Sequence, residues 1–203
     1  MGIVERRERE KEEVRKKILD AARELFAREG YDHVTMRRIA EAIEYSPTTI
    51  YHHFEDKDDV VQSLCEEDFN RLLSFLQQQP APSSAVEFVR QLGRAYARFA
   101  VEYPNHYRFM FMAPDKMQIK EGQCGPGEAA FDVVRAAAAR ALESGEFEGR
   151  DADTVAQVLW ACLHGVVTLL IAIPPEGWPA GPAPDLVDQV IENTIRGFLK
   201  GRS

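Results

Sequence analysis

The spacing of apolar residues most constrains the fold, because it follows the 3.6-residue period of an α-helix along nearly the whole chain. Near the N-terminus one helical face carries Val14, Ile18, Leu25 and Phe26, and Gly30 follows as a helix-ending residue. No segment shows the alternation of apolar and polar residues that a half-buried β-strand requires. The sequence therefore predicts an all-α protein of about nine helices.

One apolar segment, residues 155–173, is long enough to cross a membrane. Gln157 and His164 interrupt it, however, and no Lys or Arg flanks it closely. In a soluble protein, a helix that is apolar on nearly all sides is buried, often against a partner subunit. We therefore expect a buried helix and no membrane span. The last helix has a narrower apolar stripe, formed by Leu186, Val190, Ile191, Ile195, Phe198 and Leu199.

Composition fits a soluble globular protein, with 45% hydrophobic and 29% charged residues among 203. The net charge is −8, and the first 59 residues carry 12 basic and 15 acidic side chains. Neither part of the chain is basic, which argues weakly against binding to nucleic acid, since local patches matter more than totals.

The three cysteines, Cys65, Cys124 and Cys162, lie far apart and lack metal-ligand spacing. The N-terminus has no apolar core of the kind that a secretion signal contains. Both features predict a reduced cytoplasmic protein with incidental thiols.

Two short helices separated by a tight turn follow the first helix. Thr35 suits the N-cap of the first, and Ser46 followed by Pro47 suits the start of the second. Such a pair, with a supporting helix on each side, forms a helix-turn-helix. The sequence therefore predicts a three-helix N-terminal domain joined to a larger helical C-terminal domain.

Helical geometry assigns the residues of the second short helix to two faces. Ile50 and Phe54 point towards the core, whereas Thr48 and His52 point away from it. Thr49 and His53 lie beside that outer face, and Tyr51 lies at its other flank. Hydroxyl and imidazole groups suit contacts in a DNA groove, although the segment 43–54 contains no Lys or Arg. A helical hairpin with an ordinary polar face is the alternative.

The segment from Ile18 to Leu64 resembles the DNA-binding domain of TetR-type transcriptional regulators. The matching patterns are A-x-x-L-F-x-x-x-G-Y, T-x-x-x-I-A and S-x-x-T-[IL]-Y-x-[HY]-F, followed by a Lys. The resemblance covers roughly residues 14–64 and implies that residues 46–54 form the recognition helix. By this resemblance, Ser46 and Pro47 begin the recognition helix, and Thr48, Thr49 and His52 face the bases. The phosphate contacts implied by the resemblance are Thr35, Arg37, Tyr51 and Lys57.

Glu44 departs from the family pattern, which usually has glycine in this turn. A non-glycine residue there either adopts the left-handed conformation at modest cost or alters the turn. The acid also lies near the expected phosphates, so it puts DNA affinity in doubt more than the fold.

A second local resemblance lies in the C-terminal region. The spacing W-x-x-x-H-G at Trp160, His164 and Gly165, with HYRFMF upstream, is similar to a TetR C-terminal subtype named after Trp-His-Gly. It implies that the last two long helices pair with their copies in a second subunit as a four-helix bundle. The predicted domains are residues 1–57 for DNA binding and 58–203 for ligand binding and dimerisation.

The larger domain is rich in aromatic residues that could enclose an apolar pocket with a few polar groups. The alternative is that they are plain core. The candidate pocket residues are Tyr96, Phe99, Tyr103, Tyr107, Phe111, Trp160 and His164.

Motifs of catalysis and metal binding are missing from the sequence, and we expect no enzyme, metal site or cofactor. The adjacent acids Glu66, Glu67 and Asp68 are interpreted as solvated. The leading hypothesis is a homodimeric repressor that a small-molecule effector releases from a pseudo-palindromic DNA operator. The alternative is a helical ligand-binding or scaffold dimer that has lost specific DNA binding.

Overall fold

The structure, a computed structural model, describes residues 2–112, 126–149, 151–179, 181–182 and 184–201. Within these ranges it contains nine α-helices, a short 3-10 helix at Pro175–Gly177 and no strand, which confirms the predicted all-α fold. The helices are α1 (Ile3–Glu29), α2 (Met36–Ala42), α3 (Pro47–Tyr51), α4 (Lys57–Gln77), α5 (Ala85–Glu102), α6 (Pro104–Met112), α7 (Pro126–Glu143), α8 (Ala152–Ala172) and α9 (Leu186–Arg196).

The predicted helix boundaries near the N-terminus follow from side-chain caps. The Thr35 hydroxyl accepts a hydrogen bond from the Arg38 amide at 3.1 Å, and α2 begins at the next residue. The Ser46 hydroxyl accepts from the Thr49 amide at 3.2 Å, and Pro47 is the first residue of α3. Each cap satisfies an amide that the first turn of a helix leaves without a partner.

The described residues form two compact units, of which the first lies within Met1–Asp68 and Asn105–Glu121. Its core joins apolar residues of α1, α2, α3 and α4 with Phe109 of α6. This unit extends past the predicted boundary at residue 57, because α4 begins there and buries Val60, Val61 and Leu64 in the same core. The functional division into residues 1–57 and 58–203 stays a prediction.

The second compact unit contains most of the remaining helices and lies within Phe69–Pro104 and Gly122–Ser203. Helix α5 buries one complete face, and α9 packs on it through Ile191 and Ile195. An ion pair between Arg94 and Asp188, at 2.8 Å, also joins α5 to α9.

Helix α8 is the long apolar segment of the sequence, and the structure leaves much of it exposed. Within the described part of the chain it is the one helix long and apolar enough to cross a membrane by length and composition, a criterion that core helices of soluble proteins also meet. Its exposed apolar residues include Val158 and Leu169. Cys162 lies exposed on α8, Cys65 lies half-buried on α4, and Cys124 lies outside the described residues.

Candidate nucleic-acid interface

The turn between α2 and α3 contains a residue in the left-handed conformation. Glu44 has φ +60°, and it is the one non-glycine residue with positive φ in the described ranges. The Tyr45 amide donates to the Ala40 carbonyl at 3.0 Å, and the Glu44 amide donates to the Glu41 carbonyl at 3.3 Å. This pair of bonds is the Schellman motif that ends many helices. Of the two predicted possibilities at Glu44, the structure contains the left-handed one.

Helix α3 is shorter than the predicted recognition helix at residues 46–54, since it ends at Tyr51. The amides of His53 and Phe54 still donate to the Ile50 carbonyl at 2.9 and 3.0 Å, so the chain keeps a helical course to Phe54. Ile50 and Phe54 are buried as expected.

The outward face of α3 presents the residues that were predicted to reach the groove. Thr48, Tyr51 and His52 are exposed. Thr49 is half-buried, and its hydroxyl lies 2.9 Å from the Ser46 hydroxyl within the N-cap. Thr48, Tyr51 and His52 are therefore accessible, while Ser46 and Thr49 also stabilise the start of the helix.

Lys57 also stabilises the loop between α1 and α2 through hydrogen bonds. Its ammonium group donates to the carbonyls of Tyr31 and Val34, at 2.9 and 3.0 Å, and lies 3.8 Å from the centre of the Tyr31 ring. A lysine has three donor hydrogens, so one remains for a phosphate. Phosphate contact by Lys57 stays a prediction.

The other predicted phosphate contacts lie on or beside α2 and α3. Arg37 is 81% exposed, and its guanidinium is 3.1 Å from the Glu41 carboxylate. An exposed pair at this spacing contributes about 0.5 kcal/mol or less, so a phosphate can replace Glu41. Arg38 makes a similar contact with Glu29 at 3.3 Å.

His53 lies at the end of α3 and is half-buried. Its Nδ1 atom is buried and has no hydrogen-bond partner among the described residues. Burial lowers its pKa, and the nearby charges of Lys11 and Arg15 lower it further. The Arg15 guanidinium lies 4.5 Å from the centre of the Phe54 ring and donates to Ser63 at 3.0 Å. Sequence reasoning missed this contact between α1 and the end of the recognition helix.

A buried polar cluster in the first unit contradicts one prediction. Asp68 was interpreted as solvated, but it is fully buried. Its carboxylate accepts from Arg23 Nε at 3.0 Å, and His106 Nδ1 lies 2.7 Å from the same oxygen. A carboxylate removed from water in this way needs charged and hydrogen-bonding partners, and α1 and α6 supply them.

The structure brings together three of the seven candidate pocket residues. The Tyr96 hydroxyl lies 3.0 Å from His164 Nδ1, and Trp160 lies one helical turn away, with its ring centre 5.4 Å from that of His164. Burial lowers the pKa of His164, which favours the neutral imidazole.

An apolar cavity of about 50 Å³ lies between α5, α7, α8 and α9 of the second unit. Its described lining includes Tyr96 and Trp160 and has no charged side chain.

Neither His164 nor the remaining four candidates line this cavity. Phe99 and Tyr103 pack against Phe75, with ring centres 5.5 and 5.7 Å away. Tyr107 and Phe111 pair with ring centres 4.9 Å apart and belong to the first compact unit. Aromatic spacing alone did not distinguish a pocket wall from an ordinary core contact.

Comparisons with known proteins cover both units. Residues 18–64 match the family described as bacterial regulatory proteins, tetR family, and residues 89–194 match the tetracyclin repressor-like C-terminal domain. The HTH-type transcriptional repressor Rv1474c of Mycobacterium tuberculosis is 48% identical over 58 residues, which are 29% of this chain and 31% of that protein. The HTH-type transcriptional regulator UidR of Escherichia coli K12 is 34% identical over 80 residues, 39% of each chain.

The matched part thus spans about a third of these curated relatives. Solved structures resemble nearly the whole chain. The fatty acid degradation regulator FadR of Bacillus halodurans has a TM-score of 0.75 at 20% identity, over 89% of this chain and 94% of that one. At this identity the likeness establishes the fold.

Proposed function

The chain belongs to the TetR family of bacterial regulatory proteins, and we propose that it is a homodimeric repressor that a small molecule releases from its DNA operator. The family consists of transcriptional regulators and not of enzymes. The observation that carries the proposal is the exposed face of α3, where Thr48, Tyr51 and His52 stand outward from a capped helix. We also propose that the protein acts in the cytoplasm.

DNA recognition would use α3 in the major groove. Threonine can hydrogen-bond base edges or pack its methyl group on thymine, and Tyr51 and His52 can donate to base edges or phosphates. A two-fold symmetric dimer would place two copies of α3 in successive major grooves, about 34 Å apart along the duplex, and so requires a pseudo-palindromic operator.

The exposed face of α8 supports dimerisation through α8 and α9. Its apolar and small residues recur at helical spacing on one side of the helix, namely Val158, Ala161, Cys162, Gly165, Leu169 and Ala172. Covering such a face with a second copy removes apolar area from water at about 25 cal/mol per Å². Small residues on it also let two helices approach closely.

The cavity beside Tyr96 and Trp160 supports effector binding in the second unit. Its volume of about 50 Å³ is far below the roughly 300 Å³ of a typical ligand site. An effector would therefore have to displace the helices that line the cavity, which is the movement that coupling to DNA binding requires. The uncharged lining favours an uncharged effector, because a buried charge without a partner is costly.

Selection from random DNA duplexes tests the proposed function. We expect a two-fold symmetric consensus with half-sites one helical turn apart, and binding that weakens as salt increases. The alternative function, a scaffold dimer without specific DNA binding, is motivated by Glu44 and by the acidic N-terminal unit. Failure to bind any duplex in a salt-dependent manner would favour that alternative.

A further inference from the structure

Under the proposed function, the first compact unit binds DNA although its N-terminal 59 residues are acidic and α3 has no Lys or Arg. The structure also shows that both cations predicted to contact phosphate have partners within the protein. Lys57 donates to two backbone carbonyls, and Arg37 lies against Glu41. Additional positive charge beside α3 would strengthen the attraction to the DNA phosphates.

Helix α1 extends well beyond the core that it supports. It begins at Ile3, whereas the first of its residues to pack against the core cluster is Val14. Residues 4–13 are exposed. About three helical turns therefore project from the unit without an apolar contact that would explain them.

Two cations of this projecting part share one face of the helix. At about 100° per residue, Arg7 and Lys11 lie within about 20° of the direction of the buried Ile18. Arg15 lies about 60° from that direction and Glu8 and Glu10 flank it at about 80° on either side. The other acids, Glu5, Glu12 and Glu13, lie more than about 110° from it. The side of α1 that continues its core-facing stripe is thus cationic, although the helix as a whole carries both charges.

Contacts place this stripe beside the recognition segment. Arg15, one turn after Lys11, lies over the ring of Phe54, three residues after the end of α3. Burial lowers the pKa of His53, and the nearby charge of Lys11 lowers it further, while Glu12 acts in the opposite direction. At the other end of the segment, Lys17 lies 5.9 Å from the centre of the Tyr45 ring. Side chains of α1 therefore lie near both Tyr45 and Phe54, the residues that flank α3.

Arg7 and Lys11 are available to a partner. Both are exposed, and neither forms an ion pair or hydrogen bond with any of the described residues. By contrast, Arg6 on another face pairs with Glu10 at 3.3 Å.

We propose that Arg7 and Lys11 bind backbone phosphates of the duplex that α3 enters, next to the end of α3. The inference rests on the proposed function and assigns part of the phosphate contact to the projecting turns of α1. Two such contacts neutralise two phosphates and release their counterions, so they strengthen binding without selecting a base sequence.

Two double variants with equal charge change test this assignment. Arg7→Gln/Lys11→Gln removes the cationic stripe, and Arg9→Gln/Lys16→Gln removes two exposed cations from the opposite side of the same helix. Affinity for one duplex is measured from about 50 to 200 mM salt in the full-length protein. We expect the stripe variant to lower the slope of log affinity against log salt by about 1.8, and the opposite-face variant to lower it by less than half as much.

The outcomes separate this inference from the proposed function. Equal slopes for the two variants, or no change in either, overturn the contact while the unmodified protein still binds DNA. Absence of salt-dependent binding by the unmodified protein overturns the repressor function and the contact with it. Melting temperatures of both variants within about 2 °C of the unmodified protein show that neither slope reflects unfolding. If either melting temperature falls further, the test is repeated with the single variants Arg7→Gln and Arg9→Gln.

Discussion

At the scale of single residues, Glu44 combines an unfavourable backbone conformation with an exposed side chain. Glycine adopts positive φ without the steric conflict that a Cβ atom causes. We expect Glu44→Gly to raise the free energy of unfolding by about 1 kcal/mol, measured by urea denaturation. DNA affinity should rise or stay unchanged, since an acid near the phosphates is removed.

Glu44→Ala is the control, because it removes the same charge and keeps the Cβ atom. It should leave stability nearly unchanged. If Glu44→Gly instead weakens both folding and DNA binding, the carboxylate of Glu44 stabilises the turn in a way that its exposure does not suggest.

Lys57 is expected to affect stability as well as DNA affinity. Lys57→Ala leaves the carbonyls of Tyr31 and Val34 without their donor, so the free energy of unfolding should fall by about 1–3 kcal/mol. Binding should weaken for all DNA sequences, with a flatter salt dependence. Arg37→Ala makes the same charge change and should lower stability by less than about 0.5 kcal/mol. Equal stability losses in the two variants would contradict the structural role of Lys57.

His52 tests base recognition by α3. His52→Ala and Thr48→Ala should each change the sequence consensus obtained by selection, and a lost base contact typically costs about 1–3 kcal/mol of discrimination. The consensus of Lys57→Ala, compared in the same selection, should match that of the unmodified protein. An unaltered consensus in His52→Ala would remove that residue from the base-facing set.

At the scale of helices, local sequence correctly predicted the end of α1 and the starts of α2 and α3. Thr35, Ser46 and Pro47 act within one helical turn, so their effect is visible in the sequence. The burial of Asp68 was not predictable in the same way, because its partners Arg23 and His106 are 45 and 38 residues away. Nothing in an acidic run distinguishes a solvated carboxylate from one that two distant helices enclose.

The start of α5 depends on a carboxylate that is also distant in sequence. Glu146 accepts from the Ser84 hydroxyl at 2.7 Å and from the Ala85 amide at 2.9 Å. These bonds lower its pKa from 4.5 to about 2. Because the folded pKa is below the ordinary value, the stabilisation is present above about pH 4.5 and is lost as pH falls towards 2.

We therefore expect Glu146→Gln to lower the free energy of unfolding by about 1 kcal/mol at neutral pH, as for a lost helix cap. The difference from the unmodified protein should shrink below pH 4.5 and vanish near pH 2, measured by urea denaturation across pH. Glu143→Gln, on the exposed end of α7, controls for the loss of one negative charge. A difference that stays constant down to pH 2 would show that the cap does not depend on the ionised carboxylate.

At the scale of the whole molecule, sequence predicted the helical class and the two-part organisation better than the pocket. The 3.6-residue spacing of apolar residues is enough to predict the all-α class, because every long segment shows this spacing. The pocket requires knowing which aromatic side chains share a cavity, and Tyr96 and Trp160 do so only through the packing of α5 on α8. Tyr107 was a candidate for the same reason, as an aromatic residue of the larger predicted domain, but it belongs to the first compact unit.

The exposed apolar face of α8 allows dimerisation to be tested by substitution. Val158→Glu places a charge within the apolar face proposed to meet a second copy, where burial without a partner costs several kcal/mol. We expect at least about a tenfold weaker dimer, and a monomer at micromolar concentration, by analytical ultracentrifugation. Val101→Glu is the matched control, since Val101 is 71% exposed on α5 and has no part in that face. A dimer of unchanged affinity in Val158→Glu, with folding intact, would place the contact between subunits elsewhere than on α8.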